Sequence, residues 1–122
     1  MAVTIHSAGG DRVINAQVAA TPEQQERGLM FRRSLAPNEG MIFPYDPPAS
    51  VSFWMHNTLI PLDMLFITKD MTVAGIVQNA EPKTDTMRTV GATSLYVLEV
   101  NGGYTASKGV IAGAKVRFDN VQ

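Results

Sequence analysis

The stretch FWMHNTLIPLDMLFI, residues 53–67, places four polar side chains within the most hydrophobic segment of the chain. His56, Asn57, Thr58 and Asp63 interrupt a run of large apolar residues. Because buried polar groups need hydrogen-bond partners, such residues either hold a tight turn together or face a ligand. We expect both, with different residues of the stretch serving the two purposes.

The second half of the stretch predicts a turn followed by a buried strand. Residues 63–68 are apolar on both faces, which is typical of a strand in the middle of a sheet. Asn and Thr side chains bond to nearby backbone groups in turns, so Asn57 and Thr58 are assigned structural roles. Asp63 opens the buried strand, and we expect its carboxylate to accept N–H groups from the 57–61 loop.

The first half of the stretch predicts a second strand, at residues 51–56, with one polar face. The alternation places Ser52, Trp54 and His56 together, opposite the apolar side chains. A Trp with polar neighbours suits stacking against a sugar, a peptide or another flat ligand. The alternative is that Trp54 packs beneath the proline-rich turn expected at residues 44–50.

The rest of the chain adds short strands and one good helix. Thr21 and Gln24 form a T-x-x-Q capping box around Pro22, which starts a helix near 22–30. We expect this helix to pack on the sheet and Leu29, Met30 and Phe31 to be buried. Further strands are predicted at 3–7, 12–20, 40–43, 72–78, 95–100 and 115–118, with one helical turn around 103–108.

These elements predict an α+β fold that is mainly β. We expect a single domain over residues 1–122, built as a small, partly closed antiparallel β-barrel with one packed helix.

The composition narrows the classes of partner and site. Ten basic and eleven acidic residues leave a formal charge of −1, which argues against nucleic acid as a partner. The chain has no cysteine, so disulfides, thiolate nucleophiles and cysteine-based metal sites are excluded. No apolar run reaches the length of a transmembrane segment, and the first residues do not form a signal peptide.

Five motifs in order give the chain a resemblance to a known family. They are GLMFR at 28–32, GMIF at 40–43, FWMHNTLIPLDMLFI at 53–67, NAEP at 79–82 and LEVNGG at 98–103. Together they resemble domain of unknown function family 192, over roughly residues 12–118. The resemblance implies a small, β-rich α+β domain of mostly bacterial and archaeal proteins, with no established biochemical activity. Many members carry export signals, so it also implies a periplasmic or extracellular protein whose signal is absent here.

One position departs from the family pattern. Similar sequences usually carry Lys where this chain has His56. A site that uses a cation there would keep it in this chain only at low pH. The resemblance offers no known role for the matched positions, such as Arg32, Trp54 and Asp63.

The alternative to a binding domain is a small hydrolase that uses Asp63, His56 and Glu99, with Ser52 or Thr58 as the nucleophile. Glu99 lies within a strand, and burial would raise its pKa and suit a general acid. No nucleophile elbow, zinc-binding pair or phosphate loop supports this reading. The simpler expectation is that Glu99 is structural and pairs with Arg32 or Arg117, because buried charges need partners.

The interpretation that fits best is a non-enzymatic ligand-binding or accessory domain. Its groove would be formed by Ser52, Trp54 and His56 with Arg32 nearby, and its ligand would be a carbohydrate, a peptide or a small organic acid. No metal or cofactor is predicted. Four methionines that could bind copper if they converged, Met30, Met41, Met55 and Met64, are expected to fill gaps in the core. A third interpretation is a structural subunit of a larger assembly.

Overall fold

A computed structural model describes residues 1–119, which form seven strands and two short helices. In chain order the elements are β1 (Ala2–Ser7), β2 (Gly10–Val18), α1 (Pro22–Arg27), β3 (Glu39–Ser50), β4 (Leu62–Ile67), β5 (Val73–Ala80), β6 (Thr93–Asn101), α2 (Tyr104–Lys108) and β7 (Val116–Asp119).

All seven strands belong to one sheet, in the order β5-β4-β6-β3-β2-β1-β7. The sheet curls so that its two edges approach each other. There the Val73 N–H donates to the Ala114 carbonyl at 2.9 Å and the Val116 N–H donates to the Met71 carbonyl at 2.9 Å. The result is a half-barrel, which confirms the predicted mainly β, α+β class. One pair departs from the antiparallel prediction, because β2 and β3 run parallel after the connection through α1.

The concave face of the sheet holds one hydrophobic core. Tyr104 of α2 and Val110, which follows it, pack against this face and cover the interior of the half-barrel. The strand residues of this core include Val3, Ile5, Ile14, Ile42, Leu65, Leu98 and Val100.

A second core covers the opposite face of β3, β4 and β6. Leu29, just after α1, and Met55 pack there from outside the sheet, and both are buried. Of the methionines considered as copper ligands, Met41, Met55 and Met64 are part of this core. Its strand residues are Met41, Phe43, Leu62, Met64, Phe66 and Val97.

Two of the predicted elements are wrong. Residues 51–56 do not form a regular strand and contain only an isolated bridge, between Phe53 and Arg88. Residues 44–50 are not a turn but the second half of β3, whose pairing with β6 shifts register between Pro44 and Ala49. This irregularity explains why a strand tolerates several prolines, since no ladder hydrogen bond is required within it.

Helix α1 begins as predicted and ends earlier. The Gln24 N–H donates to the Thr21 hydroxyl at 3.1 Å, and the Thr21 N–H donates to the Gln24 side chain at 3.1 Å. Gly28 ends the helix with a φ of +49°, a region that favours glycine, and packs against the ring of Phe43. Burial of Phe31 was predicted wrongly, because its side chain is 57% exposed.

Asp63 ties three parts of the fold together on the concave face. Its carboxylate accepts hydrogen bonds from the N–H groups of Asn79 (2.9 Å), Gly103 (3.1 Å) and Thr105 (2.9 Å), and from the Thr105 hydroxyl (2.6 Å). These donors come from β5 and from the start of α2, not from the 57–61 loop that we expected. A fully buried carboxylate in this position is therefore satisfied by distant parts of the chain.

Glu99 lies on the opposite face and has a different environment. It is buried beside Met41 and Met64, its neighbours across the strand ladders. The predicted pairing with an arginine is wrong, because Arg32 donates to the Gln17 side chain and Arg117 to Asp119. None of the ion pairs within residues 1–119 includes Glu99. Burial raises the pKa of its carboxyl from 4.5 to about 8.

Replacing Asp63 by Asn should destabilise the protein. The substitution removes the charge that strengthens four hydrogen bonds and turns an amide NH₂ toward N–H donors. We expect the free energy of unfolding to fall by about 2–5 kcal/mol, measured by urea denaturation. Asp70→Asn, in an exposed turn, is the matched control and should change stability by less than about 0.5 kcal/mol. A loss at Asp63 no larger than at Asp70 would contradict the role assigned to Asp63.

The buried Glu99 predicts a stability that falls as pH rises. Between pH 4.5 and about 8 the folded protein retains a proton that the unfolded chain releases. The free energy of unfolding should therefore decrease through this window, by at most about 1.4 kcal/mol per pH unit, and this contribution should level off above it. Glu99→Gln should flatten the profile and be more stable than the natural chain at pH 8, measured by thermal and urea unfolding. Glu81→Gln, at an exposed position, should leave the profile unchanged.

Candidate functional site

Two adjoining cavities flank Trp54 on the outer surface of the second core. Their volumes are about 390 Å³ and 450 Å³, and Glu26, Met30 and Trp54 line both. We call the two cavities together the Trp54 groove. The first is also lined by Gln25, Tyr45, Ser52, Phe53 and Met87, and the second by Glu23, Arg27, Phe31, His56 and Asn57.

One wall of the groove is the segment 51–56, held against residues 84–88. The Phe53 N–H donates to the Arg88 carbonyl at 2.9 Å and the Arg88 N–H returns a bond to Phe53 at 2.8 Å. Met55 donates from its N–H to the Thr84 carbonyl at 2.9 Å. The side chains alternate as the sequence predicted, although the segment is not a regular strand.

Apolar side chains fasten this wall to the core. The Phe53 ring meets the rings of Phe43 and Phe66 edge to face, with centroids 5.0 Å and 6.2 Å apart. Met55 is fully buried. Because edge-to-face aromatic pairs and buried side chains fix orientation, the residues between them are held in place.

Trp54 is 43% exposed, and other side chains hold its indole in place. Its indole stacks on the His56 imidazole, with ring centroids 4.6 Å apart and planes inclined by 25°. The His56 Nδ1 atom lies 2.9 Å from an Asp85 carboxylate oxygen. The indole therefore rests on a second ring that is itself oriented, and it is not covered by residues 44–50.

The opposite wall is formed by α1 and the residues that follow it. Phe31 has a φ of +64°, which is rare for a bulky residue, and its N–H donates to the Asn57 carbonyl at 2.9 Å. This bond joins the two walls at one end of the groove. The guanidinium of Arg27 lies over the Phe31 ring, 5.9 Å from its centroid.

The floor of the first cavity includes Tyr45. Burial and, as the smaller cause, the charge of Glu99 together raise the pKa of its hydroxyl from 10.0 to about 12. The hydroxyl is therefore protonated at physiological pH. It can serve as a hydrogen-bond donor or acceptor but not as an anion.

Acidic side chains outnumber basic ones in the groove. Glu23 and Glu26 line it, and neither takes part in the ion pairs found within residues 1–119. The basic counterpart in the lining is Arg27, whose guanidinium lies over the Phe31 ring. An anionic ligand would therefore meet two carboxylates, whereas a neutral or cationic ligand would not be repelled.

The structure brings together three of the four predicted ligand-binding residues. Ser52, Trp54 and His56 line the groove, but Arg32 does not. Arg32 lies at a separate cavity of about 180 Å³, beside Gln17. Of the residues assigned structural roles, Thr58 is buried and its hydroxyl donates to the His56 carbonyl at 3.3 Å. Asn57, which lies between His56 and Thr58 in the turn, adopts a φ of +54°.

The three groups of the alternative hydrolase are not brought together. In the ladder of β4 with β6, Asp63 faces Val100 and Glu99 faces Met64. Adjacent ladder positions point to opposite faces of a sheet, so the two carboxyls lie on opposite sides. The ring of His56 pairs with Asp85 instead.

Sequence reasoning missed the residues that the fold brings to Trp54 from elsewhere. Glu23 and Glu26 lie near the start of the predicted helix, where acidic residues are common because they interact favourably with the helix dipole, so their presence indicated no groove. Phe31 was expected to be buried because it ends the apolar run of residues 29–31, and no local pattern indicated its φ of +64° or its exposure. Asp85 lies in an irregular polar segment, and no pattern there indicated its contact with His56.

Within residues 1–119, no helix is long and apolar enough to cross a membrane. Another cavity of about 490 Å³ adjoins Pro48, the Thr68–Asp70 turn and Thr93. It is larger than either half of the Trp54 groove but has no aromatic lining, so we regard the groove as the stronger candidate.

Comparisons with known proteins give one family, from a family model, and the same fold in two solved structures. No curated protein matches the chain significantly. A crystal structure of a protein of unknown function from Novosphingobium aromaticivorans DSM 12444 superposes with a TM-score of 0.94 at 42% identity, over 97% of this chain and 84% of that one. A protein from Sinorhizobium meliloti 1021, provisionally described as a transcription regulator, has a TM-score of 0.91 at 38% identity, over 95% of this chain and 91% of that one. The DUF192 family model, described as Uncharacterized ACR, matches residues 3–118. The chain therefore belongs to the DUF192 family.

Proposed function

We propose that this chain is a non-enzymatic binding domain and that the Trp54 groove receives its ligand. The observation that carries the proposal is the half-exposed indole at the junction of two cavities. A large aromatic side chain with cavities on both sides offers a flat apolar surface, and nearby polar groups fix the orientation of what binds there.

Preorganisation of the indole supports this proposal. The ring is stacked on His56, which is oriented by Asp85, and its neighbours Phe53 and Met55 are anchored in the core. A side chain that is already ordered loses little conformational entropy when a ligand arrives. The arrangement therefore favours binding over a purely structural use of the residue.

The charges of the groove narrow the ligand class. Glu23 and Glu26 disfavour a small organic acid, and the arginine that would have neutralised one, Arg32, lies at another cavity. A carbohydrate or a peptide fits the groove better, since both combine flat or apolar portions with hydrogen-bonding groups. A nucleic-acid ligand is disfavoured, because carboxylates line the groove and the formal charge is −1.

The hydrolase alternative receives no support from the geometry. Its two carboxyls lie on opposite faces of the sheet, and that of Asp63 is already occupied by four hydrogen bonds. A binding role needs neither group to be free.

Trp54 is the only tryptophan of the chain, so its fluorescence reports on the groove directly. We expect at least one of two probe classes, chitohexaose or blocked hexapeptides, to change the intensity or wavelength of that emission in a saturable manner. Trp54→Ala should weaken binding of the same probe at least about tenfold, measured by calorimetry, because truncating a central aromatic residue typically costs 2 kcal/mol or more.

The controls separate loss of binding from loss of folding. Ile111→Ala removes an apolar side chain that is 67% exposed and lies outside the groove, and it should leave binding unchanged. Trp54→Phe retains an aromatic ring and should keep part of the affinity. If Trp54→Ala is folded by circular dichroism and binds as tightly as the natural chain, the proposal is wrong. Unfolding of both Trp54 variants would also contradict it, because it would assign Trp54 a role in the core.

A further inference from the structure

We propose that the ligand of the Trp54 groove is an extended, positively charged peptide that adds as a strand to the free backbone edge at Ser52 and Trp54. This inference rests on the proposed function and specifies the class of ligand. Three independent features carry it: an unpaired backbone edge, the position of that edge beside the groove, and the excess of carboxylates around it.

The segment 51–56 is bonded along one edge only. Phe53 and Met55 both direct their N–H groups toward residues 84–88, as alternate residues of an extended chain do. The N–H and carbonyl groups of the residues between them point the other way. Within residues 1–119, the backbones of Ser52 and Trp54 have no hydrogen-bond partner. Both residues are exposed, and we infer that their unpaired backbone groups are available to a ligand.

This free edge lies where a peptide can reach it. Ser52 and Trp54 themselves line the groove, and Gln25, Glu26 and Met30 form the facing wall. An extended peptide places successive side chains on opposite sides, with alternate ones about 6.6–6.8 Å apart. The backbone of such a peptide can therefore bond to the edge while alternate side chains enter the cavities on the two sides of Trp54.

A saccharide would use the edge less completely. Addition of a strand satisfies N–H and carbonyl groups in alternation, which matches the donors and acceptors of two alternate residues. Hydroxyl groups of a sugar do not repeat at that spacing in a fixed donor and acceptor pattern. The unpaired edge thus favours a peptide over a carbohydrate.

The carboxylates of the facing wall favour a peptide of positive charge. Glu23 and Glu26 are free of the ion pairs found in the described part of the chain, and both line the groove. A lysine or arginine of the peptide would meet these carboxylates and the face of Trp54, which attracts a cation. Like charges would instead repel an acidic peptide.

The first experiment compares four probes by titration of Trp54 fluorescence. They are the acetylated and amidated hexapeptide Lys-Leu-Lys-Leu-Ser-Gly, its counterpart with Glu in place of Lys, the Lys peptide with alternate backbone nitrogens methylated, and chitohexaose. We expect the Lys peptide to bind at least tenfold more tightly than either of the other peptides. Glu23→Gln combined with Glu26→Gln should reduce the difference between the Lys and Glu peptides at least threefold.

The second experiment removes a donor from the protein itself. Ser52→Pro deletes the free N–H group, whereas Ser52→Ala deletes only the hydroxyl and so measures the contribution of that group alone. We expect Ser52→Pro to bind the Lys peptide at least threefold more weakly than Ser52→Ala does. Circular dichroism and melting temperature verify that both variants are folded. If Ser52→Pro does not fold, the methylated peptide serves as the test of the backbone hydrogen bonds.

The outcomes distinguish the peptide inference from the proposed binding function on which it rests. If chitohexaose binds through Trp54 and the Lys peptide does not, the groove is a binding site but the inference is wrong. Equal affinity for the Lys and Glu peptides, or for the methylated and unmethylated ones, would also overturn it. If no probe binds at millimolar concentration, both the binding function and the peptide inference fail.

Discussion

The carboxylate of Asp63 is the constraint on which the arrangement of this protein most depends. It collects three backbone N–H groups and one hydroxyl from β5 and from the start of α2. These segments are far apart in the chain, and without the carboxylate the buried N–H and hydroxyl groups of Thr105 would lose the partner they have at the end of the half-barrel. By fixing the start of α2, the carboxylate also places Tyr104 on the concave face, where it helps to complete the first core.

The same residue separates the two faces of the sheet. Because Asp63 points into the concave side, Leu62 and Met64 point outward, where Leu29, just after α1, and the 51–56 segment cover them. That cover is irregular in conformation, and its exposed surface carries the groove. Asp63 of the 53–67 stretch is thus used on the concave side, whereas Trp54 of the same stretch lies on the exposed side of the cover.

Much of the fold followed from local patterns in the sequence. The alternation of β1, β2 and β6, the apolar run of β4 and the capping box of α1 all indicated the observed elements to within a few residues. What the patterns missed depends on distant contacts. Residues 44–50 extend β3 despite their prolines because a register shift removes the need for ladder bonds there, and the parallel pairing of β2 with β3 has no local signal.

Only one wall of the candidate site, the segment 51–56, was predictable from the sequence. Period-two alternation placed Ser52, Trp54 and His56 together, and that needed no knowledge of the fold. Arg32 was assigned to the same place because it follows a buried run, but its guanidinium reaches Gln17 on β2. Glu99 was expected to need an arginine, whereas its surroundings favour the neutral acid instead. Both errors concern long side chains, whose ends are placed by tertiary neighbours rather than by position in the chain.

The sealed concave face and the irregular outer cover have a consequence for the diversification of this family. The half-barrel is held by its own ladder and by Asp63, and none of those bonds involves the side chains that line the groove. Under the proposed function, substitutions at such positions as Glu23, Met30 or Met87 would alter the ligand preference of the groove without weakening the scaffold beneath it. On the same proposal, relatives with this barrel could differ in the lining of the groove, and therefore in ligand, while they keep the scaffold.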